Sequence, residues 1–190
     1  MTYLRALLSR EFSRLRLQVR IRLLNRKPNM RISPKSYLGQ DVKFQLTSDG
    51  YNLGGYISLS DGVRISDGVI LAPYGGSIEI GENVFVGPYC VLYGHGGLRI
   101  GRDTLIAAHT VIIAANHSFE NTSVLIREQP VNCCGIQIGE NVWIGSGARI
   151  LDGVVIGNGC VVGAGSVVTT SLEDFAVAVG VPAKVIKIRK

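Results

Sequence analysis

Three histidines and an adjacent pair of cysteines hold much of the chemistry open to this 190-residue chain. His117 lies in the run Asn116-His117-Ser118-Phe119. An imidazole titrates near neutral pH, so it can take a proton from an attacking group and later release it. His95 sits in Gly94-His95-Gly96-Gly97, where a ligand contact and a plain corner are both open. His109 has the spacing of a corner residue and is expected to be structural. Cys133 and Cys134 have no activating base close in sequence, so two ordinary thiols are expected. With Cys90 and Cys160 they show no metal-ligand spacing and no disulfide framework, which fits reduced thiols in a cytoplasmic protein.

What must position these residues is a period of six. From Ile136 to Ser171 the chain reads I-Q-I-G-E-N, V-W-I-G-S-G, A-R-I-L-D-G, V-V-I-G-N-G, C-V-V-G-A-G, S-V-V-T-T-S. Ile138, Ile144, Ile150, Ile156, Val162 and Val168 fall six apart without a slip. The same spacing links Leu59, Ile65 and Leu71, then Ile80, Val86 and Leu92, then Ile100, Ile106 and Ile112. A helix would repeat every 3.6 residues and a lone strand every two, so neither explains six. Six residues make a short strand and a corner, with a β-branched residue inward and Gly, Asn or Asp at the turn. The 24 glycines supply many such turns. Stacked turns of this kind pair their backbone edges and bury one apolar column. The expectation is an all-β solenoid from residue 57 onward.

The period breaks in three places. Leu71 to Ile80 spans nine positions, around Pro73–Ser77, and Leu92 to Ile100 spans eight, around His95. Ile112 to Ile138 spans twenty-six, so residues 116–134 leave the column and return. A long excursion from a compact repeat is usually functional or disordered, and this one opens on Asn116 and His117.

The hexapeptides, the stretch Gly101–His117 and the closing G-V-P-A-K-V-I (Gly180–Ile186) resemble the left-handed parallel β-helix acyltransferases. Those include galactoside and maltose acetyltransferases and O-acetyltransferases of surface polysaccharides. The resemblance covers about residues 57–190. It implies a homotrimer that uses acetyl-CoA as cosubstrate, with no permanently bound cofactor and no metal. It implies a sugar or glycan hydroxyl as acceptor, or the amine of an amino sugar. His117 stands where the family carries its catalytic base, with Asn116 beside it. His95 stands where the sugar enzymes tend to carry a substrate-binding acid. Trp143, Ser146, Ala164, Thr169 and Thr170 match the coenzyme A track, and Lys184 and Lys187 match the basic residues that meet its phosphates. Lysine at 184, in place of the usual arginine, gives charge without a bidentate fork. Two readings from other classes stand beside this one. A zinc hydratase of the γ-carbonic-anhydrase type lacks its close His-x4-His pair here, and a non-catalytic solenoid scaffold needs none of these side chains.

The charge is uneven. Residues 1–31 hold nine basic side chains against Glu11 alone, +8, while the remainder holds eleven basic and thirteen acidic, −2. Basicity therefore belongs to a segment, not to a nucleic-acid-binding body. The chain divides into a basic segment, 1–31, and a β-helix domain, 32–190. Leu4, Leu8, Phe12, Leu15, Val19 and Leu23 follow helical spacing, whereas Leu15–Leu23 alternates strictly, as a strand would. Helix is the preferred reading. Contact of residues 1–24 with the inner face of a membrane and packing against protein are both open. Arginines interrupt this segment too often for a signal peptide.

Overall fold

The computed structural model describes residues 2–48, 51–52 and 54–190, with side chains described for 13–46 and from 54 onward. The solenoid is present and begins earlier than the period read from residue 57. Each coil lays one short strand on each of three sides. The first side carries Met30–Ile32, Tyr56–Leu59, Ser77–Ile80, Leu98–Ile100, Ile136–Ile138 and Val155–Ile156. The second carries Tyr37–Leu38, Arg64–Ile65, Phe85–Val86, Leu105–Ile106, Trp143–Ile144, Val161–Val162 and Ala176–Val179. The third carries Lys43–Phe44, Ile70–Ala72, Val91–Tyr93, Val111–Ile113, Arg149–Ile150 and Val167–Val168. Neighbours on each side pair in parallel, in register, one coil to the next. This is the left-handed parallel β-helix that the family resemblance implies.

The inward column is buried throughout. Ile65, Leu71, Val86, Leu92, Ile106, Ile112, Ile144 and Ile150 have no exposed surface, and Ile138, Ile156, Val162 and Val168 have at most 3%. Each such side chain contributes about 1.5–3 kcal/mol by leaving water. Corners are fixed by short polar side chains that reach the next coil. Asp67 accepts the Gln40 N–H at 2.7 Å, Asn158 the Glu140 N–H at 2.9 Å, and Asp174 the Asn158 N–H at 2.8 Å. At the C-terminal end Lys184–Ile188 folds back antiparallel on Ala176–Val179.

A helix, α1 (Thr2–Leu24), precedes the first coil, as preferred from sequence. It packs across the open end of the column, with Ile21 2% exposed and Leu17 and Leu24 partly buried against the core. Arg20 donates to the Gly39 and Val42 carbonyls at 2.8 and 2.9 Å, and Gln18 donates to the Pro34 carbonyl at 2.7 Å. The side chains of Leu4, Leu8 and Phe12 lie outside the described residues. Leu15, Val19 and Leu23 of the expected stripe face away from the core, 62%, 46% and 53% exposed. The helix caps the solenoid, as the ends of repeat folds require.

Candidate active site

Every departure from the six-residue period falls on one edge of the prism, between the third side and the first. The nine- and eight-residue steps and the long excursion are all there, as is a step of fifteen from Phe44 to Leu59 that the sequence reading did not note. The loops are stacked tightly. A Cβ on Gly76 would lie 2.1 Å from the Gly94 carbonyl oxygen and 2.2 Å from that of His95. One on Gly96 would lie 2.5 Å from the Gly135 nitrogen. Glycine at 76 and 96 is therefore what lets segments 74–76, 94–96 and 133–135 lie in contact.

His95 belongs to this stack. Its ring lies 4.7 Å from that of Tyr74 and 5.9 Å from that of Tyr93, and the two tyrosines meet edge to face at 5.0 Å. Its Nδ1 is buried without a hydrogen-bond partner among the described residues. Burial holds this imidazole below its ordinary pKa, with the Asp152 charge pulling weakly the other way. His95 is thus a neutral group at neutral pH, unlike the carboxylate that the resemblance associates with this place.

The excursion has its own framework. Asn116–His117 pairs antiparallel with Val131–Asn132, the Ser118 N–H donates to the Pro130 carbonyl at 2.8 Å, and the Asn132 amide donates to Ser118 Oγ at 3.1 Å. Gln129, 8% exposed, fills the interior of the loop and donates to the Asn121 and Val124 carbonyls at 2.9 and 3.0 Å. The return is clamped by Asp152, whose two oxygens accept the Cys134 and Gly135 N–H groups, each at 2.9 Å. His117 stands exposed at the foot of this hairpin. At the same edge a cavity of about 480 Å³ is lined by Asn116, Asn132, Cys134, Asp152, Thr169 and their apolar neighbours; His117, next to Asn116 in the strand, is not one of its lining residues. A larger trough, about 670 Å³, runs along the first side among Ser58, Glu79, Arg99 and Gln137. It is a polar flat face whose Glu79 and Arg99 pair at 3.5 Å, and no histidine or cysteine lines it. The edge cavity is the better site.

The other sequence candidates divide into two groups. Thr169 lines the edge cavity and Thr170 follows it, exposed. Trp143, 54% exposed, projects from the second side, which lies opposite that edge in the triangle. Ser146 and Ala164 are exposed at successive coils of the edge between the second and third sides. Lys184 and Lys187 are exposed on the closing strand of the second side. A single chain therefore does not gather the histidine and the tryptophan into one site.

His109 stacks on Tyr89, centroids 5.5 Å apart, at the edge between the second and third sides, a structural setting as expected. Cys133 and Cys134 are exposed free thiols, and burial together with nearby Asp152 pushes the Cys133 thiol above its usual pKa. That setting opposes the thiolate a nucleophile requires. Sequence reasoning missed Asp152 as a clamp, because Asp-Gly reads simply as a corner. It also missed Tyr74, Tyr93 and Gln129, whose roles depend on loop contacts with no periodic signal.

Comparison with known proteins agrees with this architecture. Residues 135–170 match the family model described as bacterial transferase hexapeptide (six repeats). The putative lipopolysaccharide biosynthesis O-acetyl transferase WbbJ of Escherichia coli is 36% identical over 141 residues, 70% of this chain and 72% of that protein. The probable acetyltransferase Rv3034c of Mycobacterium tuberculosis is 30% identical over 154 residues, 81% of this chain, which spans 50% of that longer relative. Among solved structures, a mutant of AntD, an N-acyltransferase from Bacillus cereus in complex with dTDP-4-amino-4,6-dideoxyglucose and coenzyme A, superposes with a TM-score of 0.62. It is 29% identical, covering 86% of this chain and 82% of that one. A solenoid built coil by coil from hexapeptides, interrupted on one edge, and relatives that match most of its length lead to one identification: this chain belongs to the hexapeptide-repeat acyltransferases.

Proposed function

We propose that the chain transfers an acetyl group from coenzyme A to a hydroxyl of a sugar or glycan, with His117 as the general base. The observation that carries this reading is the edge itself. His117 is held by a paired hairpin at the same edge as a cavity whose walls offer amide, carboxylate and hydroxyl groups, on a scaffold whose relatives include acyltransferases of sugars. In the step proposed, the imidazole accepts the acceptor's hydroxyl proton as its oxygen attacks the thioester carbon. The C–S bond then breaks, and the coenzyme A thiolate leaves with the proton returned by the imidazolium. Backbone N–H groups facing the carbonyl oxygen would stabilise the oxyanion.

Transfer to an amino sugar is the second reading, favoured by the likeness to AntD. Oxygen is preferred because an amino sugar arrives largely as a cation, and among the described residues the only carboxylate lining the edge cavity is Asp152. Asp152 is committed to two backbone N–H groups, and His95 is neutral.

The active unit proposed is a homotrimer. His117 and Trp143 lie on opposite parts of one prism, so a site holding both needs a neighbouring copy. Exposed Leu105 and Trp143 on the second side, and Phe119, Leu125 and Ile126 on the excursion, are the apolar surface such contacts would cover. Thr169 and Thr170 would then line the pantetheine path from one subunit. Trp143, Ser146, Ala164, Lys184 and Lys187 would line it from another.

Release of free thiol from acetyl-CoA, measured with hydroxyl- and amine-bearing sugar acceptors, tests the reading. Wild-type protein should release thiol only with an acceptor present. His117→Ala should lower the turnover number by about a hundredfold or more, with the melting temperature nearly unchanged because the side chain is exposed. Full activity in that variant would end the assignment of the base, and preference for amines would end the preference for oxygen.

A further inference from the structure

Among its described residues helix α1 has two apolar faces, of which one packs on the column. Ile21, with Leu17 and Leu24, packs on the end of the column, and Gln18, Arg20 and Asn25 bind the backbone of the first coil. Those contacts fix the rotation of the helix. Leu15, Val19 and Leu23 form the opposite stripe and cannot turn inward without breaking them. Leu4, Leu8 and Phe12 continue the same spacing in the sequence, although their side chains lie outside the described residues.

Cations surround this stripe. From residue 13 to 31 the chain has no acidic residue, and Arg14, Arg16, Arg22, Arg26, Lys27 and Arg31 are all exposed. Arg16 and Lys27 border the shallow groove that Leu15, Val19 and Leu23 line. We propose that this outer face of the helix docks on an anionic phospholipid bilayer, with Leu15, Val19 and Leu23 entering the interface and the flanking arginines meeting the headgroups. Charge decides the occupant. A second copy of the helix would bring one segment of +8 against another, whereas anionic headgroups match that charge and accept apolar side chains beneath it. No helix among the described residues is long and apolar enough to cross a membrane, so the mode is contact in the plane of the surface.

Sedimentation with vesicles tests it on the full-length protein. Phosphatidylcholine vesicles with about a third phosphatidylserine should bind the protein at low salt, and pure phosphatidylcholine should bind it far more weakly. Binding should fall as salt rises, since the screening length shrinks from about 8 Å at physiological strength to about 3 Å at 1 M. The triple variant Leu15→Ser, Val19→Ser, Leu23→Ser should lose binding by about tenfold or more. Arg16→Gln and Arg22→Gln should each lose about fivefold. Melting temperature and sedimentation coefficient should stay unchanged in all of these, because the substituted side chains are exposed. Equal binding by the triple variant, or equal binding to neutral vesicles, would overturn the proposal. So would dissociation of an oligomer by the triple variant, which would make the stripe a contact between copies.

Discussion

His95 shows how a residue can be marked by its position while its surroundings are set elsewhere in the fold. Its place in a broken repeat marked it from the sequence, but its neutrality comes from Tyr74, Tyr93 and the stacked backbone, none of which a single sequence brings together. The consequence is measurable. The unfolded chain takes up a proton at this site near the ordinary histidine value of about 6.5, while the folded protein resists it. Below that pH the unfolded state binds more protons, so stability present above it falls as pH falls. Thermal melts from pH 8 to pH 5 should show a steeper acid loss for wild type than for His95→Phe, whose ring suits the tyrosine pair. Superimposable curves would show that the imidazole titrates freely in the folded state. Asp152 is the converse case. Its type and its Asp-Gly turn were legible, but its clamp on the excursion depends on a coil that closes seventeen residues after Gly135.

At the scale of elements, the period of six carried nearly all of the fold, because each inward residue repeats the same local problem of strand, corner and burial. The period is evident only from residue 57, although Ile32, Leu38 and Phe44 keep the spacing, since fifteen residues separate Phe44 from Leu59. The N-terminal segment explains its own ambiguity. Alternating apolar residues wound into a helix fall on two nearly opposite stripes, because two steps of 100° make 200°. Leu15, Val19 and Leu23 then face one way and Leu17 and Ile21 the other, so a strand-like pattern describes a helix with two apolar faces. The two stripes should respond differently to truncation. Ile21→Ala should destabilise the fold by about 2–5 kcal/mol, the usual range for a buried aliphatic, and Leu15→Ala by less than about 0.5 kcal/mol. Denaturant titration reads both values, and equal effects would contradict the capping role. Deleting residues 1–24 would confuse the two stripes, because it uncovers the end of the column.

For the whole molecule, the main consequence of the prism is separation. The edge that carries the His117 hairpin and the cavity lined by Asn116, Asp152 and Thr169 lies across the triangle from the side that carries Trp143. In the proposed trimer these are the two halves of one site, and the exposed apolar excursion and second side are the surfaces that would join them between copies. The period alone does not report this relation, because it shows which residues point inward and not which sides of two molecules meet; the homotrimer is expected only from the family resemblance. Complementation between inactive subunits tests it most directly. His117→Ala and Trp143→Ala chains, each shown to have lost at least about tenfold in thiol release, would carry different tags, be produced together and be purified through both tags. A cyclic trimer holding both kinds of chain has one intact site among three, whichever chain is in the majority. The account predicts about a third of wild-type activity in the doubly tagged oligomer. Activity no higher than that of the separate variants would contradict a site completed by His117 of one subunit and Trp143 of the next.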